Sequence, residues 1–281
     1  DIYFARANIC HKQRNYVNSA RYLQMANDIN LSLRPSNTDE VTNKSNQLLI
    51  ESDKKEIKEI GYQKVPQCIF IVGMPRSGST LLESILSMNS RVDDLGEVNI
   101  FEESFKEWMK VDKVLNLAEC YWKKVKNQSN RLDIITNKWL YNYQYSGIIA
   151  QQIPQAKIIH CLRNPLDNIL SIYRSYFAKG NEYSSSLSHS ATIYLDQEEI
   201  MTEYKTRFRT QIYDFNYDQL VTNPDEEIQS LISWLGWDWN ESYLSPHLNP
   251  RSVSTASNVQ VRFPIHPNSV GGWKNYKDML R

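Results

Sequence analysis

Residues 68–80 read Cys-Ile-Phe-Ile-Val-Gly-Met-Pro-Arg-Ser-Gly-Ser-Thr. The uncharged apolar run 68–72 suits a buried strand, and residues 80–88 suit an apolar helix. Between them lies a turn bounded by Gly73 and Gly78. A turn between such a strand and helix gathers backbone N–H groups toward an anion. The first N–H groups of a helix lack intrahelical partners and carry the positive end of its dipole. Gly78 lets backbone approach a phosphate closely, while Ser77, Ser79 and Thr80 add hydroxyl donors. Arg76 places a planar cation inside the loop.

Gly73 and Gly78 have the spacing of a nucleotide phosphate loop, yet Ser79 stands where its lysine would be. That lysine reaches the β- and γ-phosphates, so its absence weighs against a nucleoside triphosphatase. Arg76 offers instead a fork for a phosphate-like anion.

Further strands are expected at 134–137, 157–162 and 212–215, and helices at 143–153, 169–177 and 224–235. Asn223 is expected to cap the last helix and Gly236 to end it. Strands alternating with helices predict an α/β domain with a P-loop-like, mostly parallel sheet flanked by helices. Ahead of it, residues 2–9 and 16–29 read as a short helical hairpin, and the polar stretch 31–46 with Pro35 reads as a linker. A helix is expected over 48–61, and residues 251–281 read mainly as loop with a terminal helical piece. The expected organisation is a hairpin and linker over 1–47 followed by the α/β domain over 48–281.

The bulk numbers agree with a globular chain. Its 281 residues are 41% hydrophobic and 23% charged, and 32 basic residues balance 32 acidic ones. A zero formal charge supplies no field for nucleic acid, but it leaves room for a local anion pocket. Cys10, Cys68, Cys120 and Cys161 show no paired spacing, so no disulfide framework or oxidising compartment is called for. No apolar run is long enough for a transmembrane segment. The chain begins without Met inside a helical pattern and is expected to be part of a longer protein. A cytoplasmic setting is expected for this part. His160 and Cys161 alternate across a strand, no metal-ligand spacing stands out, and no metal is expected.

Two motifs carry a family resemblance. Pro75-Arg-Ser-Gly-Ser-Thr80 resembles the 5′-phosphosulfate loop of sulfotransferases that use 3′-phosphoadenosine 5′-phosphosulfate (PAPS). Cys161-Leu-Arg-Asn-Pro-Leu-Asp167 with Ser171 resembles their 3′-phosphate motif. The C-terminal Val253-Ser-Thr-Ala-Ser257, Arg262 and Ser269-Val-Gly-Gly-Trp273 are similar to the same family's closing pattern. No His occurs between His11 and His160, whereas Gly96-Glu97 follows the first helix, as in the tyrosylprotein sulfotransferase branch. The hairpin resembles a tetratricopeptide unit in Tyr16, Leu23 and Ala26, and equally suits an ordinary capping hairpin.

The resemblance implies transfer of a sulfuryl group from PAPS to a hydroxyl acceptor, leaving 3′-phosphoadenosine 5′-phosphate (PAP). The acceptor class stays open among protein tyrosine, glycan and small alcohol. Glu97, Arg76, Lys138 and Ser269 fall at catalytic positions. Arg76, Ser77, Gly78, Ser79, Thr80, Arg163, Ser171 and Tyr217 fall at donor-binding ones. A solvated Glu97, a solvent-facing Lys138 and a surface-paired Arg163 are the plainer readings of those residues alone. Lys138 is followed by Trp139-Leu140 rather than a proline-containing turn. A nucleotide-dependent small-substrate kinase, or a non-catalytic interaction protein with upstream helical repeats and a protein partner, are the competing functions.

Overall fold

The computed structural model describes residues 2–54, 66–110, 116–129, 133–153, 155–177, 179–249 and 260–280. Among them, β1 (Gln67–Gly73), β2 (Val92–Asp94), β3 (Ile134–Asn137), β4 (Lys157–Leu162) and β5 (Ile212–Asn216) form one sheet in the order β2-β3-β1-β4-β5. Every neighbouring pair is parallel. The helices are α1 (Ile2–Lys12), α2 (Tyr16–Leu33), α3 (Thr38–Glu51), α4 (Ser79–Leu86), α5 (Ile100–Lys110) and α6 (Leu117–Lys126), continuing with α7 (Ser146–Gln152), α8 (Pro165–Tyr173), α9 (Leu187–Phe208), α10 (Tyr217–Thr222) and α11 (Pro224–Leu235).

β1 explains why its sequence is uniformly apolar. Successive side chains point to opposite faces, so a central strand must satisfy two cores. Cys68, Phe70 and Val72 enter a cluster with Phe101 and Tyr121. Ile69 and Ile71 enter the opposite one, with Leu82 and Ile85 of α4 and Ile228 and Leu231 of α11. From β1 the chain runs to β2 and β3 on one side, then crosses to β4 and β5 on the other. The connections leaving β1 and β4 therefore diverge, opening a crevice at the carboxyl ends of these strands. Both motifs singled out above lie at that crevice.

Several boundaries differ from expectation. The stretch read as a linker is mostly helical: α2 reaches Leu33, and α3 begins at Thr38, where Asn37 accepts a hydrogen bond from Glu40 N. Its pattern is polar because its buried contacts include Ser45, whose hydroxyl meets Asp196 and Gln144, alongside Leu48. α3 ends at Glu51, and the expected stop at Gly61 lies outside the described residues. α8 starts at Pro165, four residues before the expected helix, with Asn164 accepting from Leu166 N and Asp167 N. Residues 140–145 form a 3-10 helix before α7. Asn223 occupies the N-cap position of α11 without a side-chain cap bond, while Gly236 closes the helix in the left-handed conformation. β2, α6, α9 and α10 have no counterpart in the expected elements.

The hairpin packs on the body of the fold through Phe4, Ala7, Leu23 and Ala26, against Leu170 and Tyr173 of α8 and Tyr276. No helix among the described residues is long and apolar enough to cross a membrane.

Candidate active site

The loop after β1 holds an unusual backbone. Gly73, Arg76 and Gly78 all have positive φ, at 136°, 66° and 97°. For Arg76 this conformation is disfavoured by its Cβ, so neighbours must hold it. Arg163 Nη1 donates to the Arg76 carbonyl at 2.8 Å, and Asn168 Nδ2 donates to the Pro75 carbonyl at 3.0 Å. The Arg76 side chain in turn donates from Nε to Ser171 Oγ at 3.2 Å. The two motifs, far apart in sequence, are thus bonded to each other.

Gly78 is required twice over. A Cβ there would lie 2.5 Å from Cδ2 of Tyr217, and the residue's φ is left-handed. Tyr217 opens α10, and the guanidinium of Arg163 lies 4.8 Å from its ring centroid. Arg163 Nη2 also donates to the Ser269 carbonyl at 2.8 Å. Asp167 fixes the same C-terminal segment by accepting from Gly271 N and Trp273 N, at 2.6 and 2.9 Å. Its charge is therefore directed at backbone N–H groups rather than at a cation.

Between these elements is a cleft of about 620 Å³. Arg76, Gly78, Thr80, Arg163, Ser171 and Tyr217 line it, together with Ser269. Arg174, one turn beyond Ser171 on the same side, adds a third cation. Burial, and next the nearby Arg163, pull Arg76 down to about 10. Burial also lowers Arg174. Arg163 Nε is buried and has no hydrogen-bond partner among the described residues. Three guanidinium groups share a cleft where, among the described residues, the one lining carboxylate, Asp167, is bonded elsewhere. An anion with more than one charge would relieve that crowding.

The other expected residues lie outside the cleft lining. Ser77 and Ser79 are buried in the loop. Lys138 directly follows β3 and is fully buried, unlike an ordinary strand-end lysine. Its Nζ lies 2.8 Å from Glu83 Oε2 and 3.2 Å from Glu97 Oε1. Glu97 remains half-exposed, while Glu83 is nearly closed off from solvent. The backbone reinforces the approach, since Lys138 N donates to the Gly96 carbonyl at 3.2 Å.

Glu83 and Arg174 escaped the motif reading. Glu83 had a signal: the one charged residue of α4, one turn past Thr80 in a helix otherwise made of Leu, Ile, Ser and Thr. Arg174 had only its position three residues beyond Ser171. The segment 253–257 lies outside the described residues. His160 and all four cysteines except the half-buried Cys10 are buried, and all four cysteines are free. Among the described residues no group of three or more His, Cys, Asp or Glu side chains could hold a metal ion.

A parallel sheet flanked by helices, with the Gly73–Gly78 loop at its switch point, defines an α/β fold. The sulfotransferase family matches this chain over residues 66–116 and 105–241, and the chain belongs to that family. It is similar to an uncharacterized protein of Aquifex aeolicus (strain VF5), with 32% identity over 235 residues, covering 75% of this chain and 31% of that protein. It is also similar to the protein-tyrosine sulfotransferase of Drosophila melanogaster, with 24% identity over 251 residues, covering 75% of this chain and 48% of the other. The chain thus spans less than half the length of either relative. The fold resembles the sulfotransferase domain of the Synechococcus PCC 7002 olefin synthase, with a TM-score of 0.57 and 18% identity, covering 78% of this chain and 91% of that domain.

Proposed function

We propose that this chain transfers a sulfuryl group from PAPS to a hydroxyl-bearing acceptor. The observation that carries the reading is the cleft with three arginines and, among the described residues, no lining carboxylate free to balance them. The donor supplies the activated sulfuryl group; the chain supplies charge, orientation and a base. Arg76, with Ser77, Gly78, Ser79 and Thr80, is assigned to the 5′-phosphosulfate at the N-terminus of α4. Arg163 and Ser171 are assigned to the 3′-phosphate, with Tyr217 and Ser269 lining the nucleotide site.

Glu97 is assigned as general base. Its half-exposed carboxylate takes the acceptor proton as the acceptor oxygen bonds to sulfur and the bond from sulfur to the 5′-phosphate oxygen breaks. Lys138, held by Glu83, is assigned to the negative charge developing on that leaving oxygen. The acceptor class remains protein tyrosine, glycan or small alcohol, and Gly96-Glu97 relates the chain to the tyrosylprotein branch. The α1–α2 hairpin is proposed as a tetratricopeptide-like unit or, equally, an ordinary capping hairpin within a first segment over 1–47, with the α/β domain over 48–281 and α3 spanning the seam.

Calorimetry with PAP and adenosine 5′-phosphate tests the donor assignment. PAP is expected to bind more tightly, and Arg163→Ala to remove most of that preference, about thirtyfold. Equal affinities in the wild type would refute it. Preferential binding of a nucleoside triphosphate with Mg²⁺ would move the function to a kinase.

A further inference from the structure

The cleft has a wall that neither motif supplies. Phe4, Asn8 and His11 line it from α1. Their spacing, i, i+4 and i+7, sets all three on one helix face. They border the end of the cleft formed by α8, where Ser171, Arg174 and Ser175 also line it. Phe4 packs against Tyr176 just beyond α8, at 5.7 Å between ring centroids.

This wall is tied down at several points. His11 Nδ1 lies 2.8 Å from the Tyr276 hydroxyl, which also lies 2.9 Å from Ser19 Oγ on α2. Asn27 Nδ2 donates to the Tyr173 carbonyl at the end of α8, at 2.9 Å. The Arg174 guanidinium sits 5.7 Å from the Tyr276 ring. The hairpin is therefore held to the helix that carries Ser171 and to the C-terminal segment that carries Ser269. Asn8 differs from its neighbours: it is exposed to the cleft, and its side-chain amide makes no hydrogen bond among the described residues.

We propose that α1 forms part of the nucleotide site, with Asn8 and His11 as polar contacts for the phosphate-bearing ribose of a 3′-phosphorylated adenosine nucleotide. This rests on the donor reading above and extends it to a segment outside both motifs. An amide can donate to a phosphate oxygen without adding charge to an already crowded cationic end. The hairpin thereby contributes to discrimination between nucleotides with and without a 3′-phosphate.

The test compares PAP and adenosine 5′-phosphate binding by calorimetry in four proteins: wild type, Asn8→Ala, Asn8→Asp and Ile9→Asp. Ile9 is exposed on the same helix but does not line the cleft, so it controls for added charge. Asn8→Asp is expected to weaken PAP roughly tenfold and Asn8→Ala roughly threefold, with adenosine 5′-phosphate affected less. Ile9→Asp is expected to bind as the wild type does. PAP is further expected to slow amide hydrogen exchange across α1. Wild-type PAP affinity in Asn8→Asp, with the wild type still preferring PAP, overturns the role of α1 and leaves the donor assignment standing. A wild type without that preference overturns the donor assignment itself.

Discussion

Replacing Lys138 by Met separates the structural part of its environment from the chemical part. The ammonium is fully buried and lies 2.8 Å from Glu83 and 3.2 Å from Glu97. Met keeps the length and apolar character of the stem but strands the Glu83 carboxylate, whose side chain is 9% exposed. Removing one member of a buried pair costs about 3–5 kcal/mol, because the remaining charge is left without water or partner. The half-exposed Glu97 retains solvent and adds about 0–1 kcal/mol. Lys138→Met is therefore expected to lose about 3 kcal/mol, read as a lower urea midpoint with unchanged slope. Glu83→Gln in the Lys138→Met background removes the stranded charge and should restore at least about 1 kcal/mol. Sulfuryl transfer in single turnover should stay slow in that double variant, since the ammonium is still absent. Two results would refute the reasoning: a Lys138→Met midpoint matching the wild type, or a double variant whose loss equals the sum of the singles.

Glu97→Gln is expected to lower kcat about 10²–10⁴-fold with donor affinity nearly unchanged, whereas Arg76→Ala should weaken donor binding and slow turnover together; paired Kd and single-turnover measurements check the division. Gly78→Ala should lose PAP binding and stability, because its Cβ would fall 2.5 Å from Tyr217 at a left-handed φ; calorimetry and thermal unfolding read both. Burial, and next Arg174, hold His11 down at about 4, against an ordinary value of 6.5. The unfolded chain then binds more protons between those values, so the contribution of this site is full above about pH 6.5 and falls away toward pH 4. Around it stand Arg174, just past the end of α8, Tyr276, which burial raises above its ordinary value, and the ring of Tyr16. The stability difference between wild type and His11→Gln should shrink on acidification from pH 7 to pH 5, as measured by urea unfolding; a pH-independent difference would remove His11 from the account.

The loop-bearing α/β core was legible because its determinants are local. A doubly buried strand must be apolar throughout, a phosphate loop needs glycine where the backbone turns left-handed, and a helix start follows at once. β1, Gly73, Gly78 and the start of α4 therefore announce themselves within 14 residues, 67–80. α3 was hidden for the opposite reason: polar residues such as Ser45 meet Asp196 and Gln144 inside the fold, so its helical stripe is not apolar.

The sequence by itself determined the sheet-and-helix class and the glycine-bounded turn between β1 and α4, and it named Arg76, Glu97, Lys138, Arg163 and Ser171 as candidates. Only the tertiary structure decided how they are joined. It brought Arg163 onto the Arg76 carbonyl, and it closed Lys138 between Glu83 and Glu97. It also set Arg174 and one face of α1 along the cleft. Backbone propensity and periodicity act over a few residues and leave their mark in the chain. A charge pair or a cleft wall joins segments tens to hundreds of residues apart, and its energy depends on distances and desolvation that exist only after the core has packed.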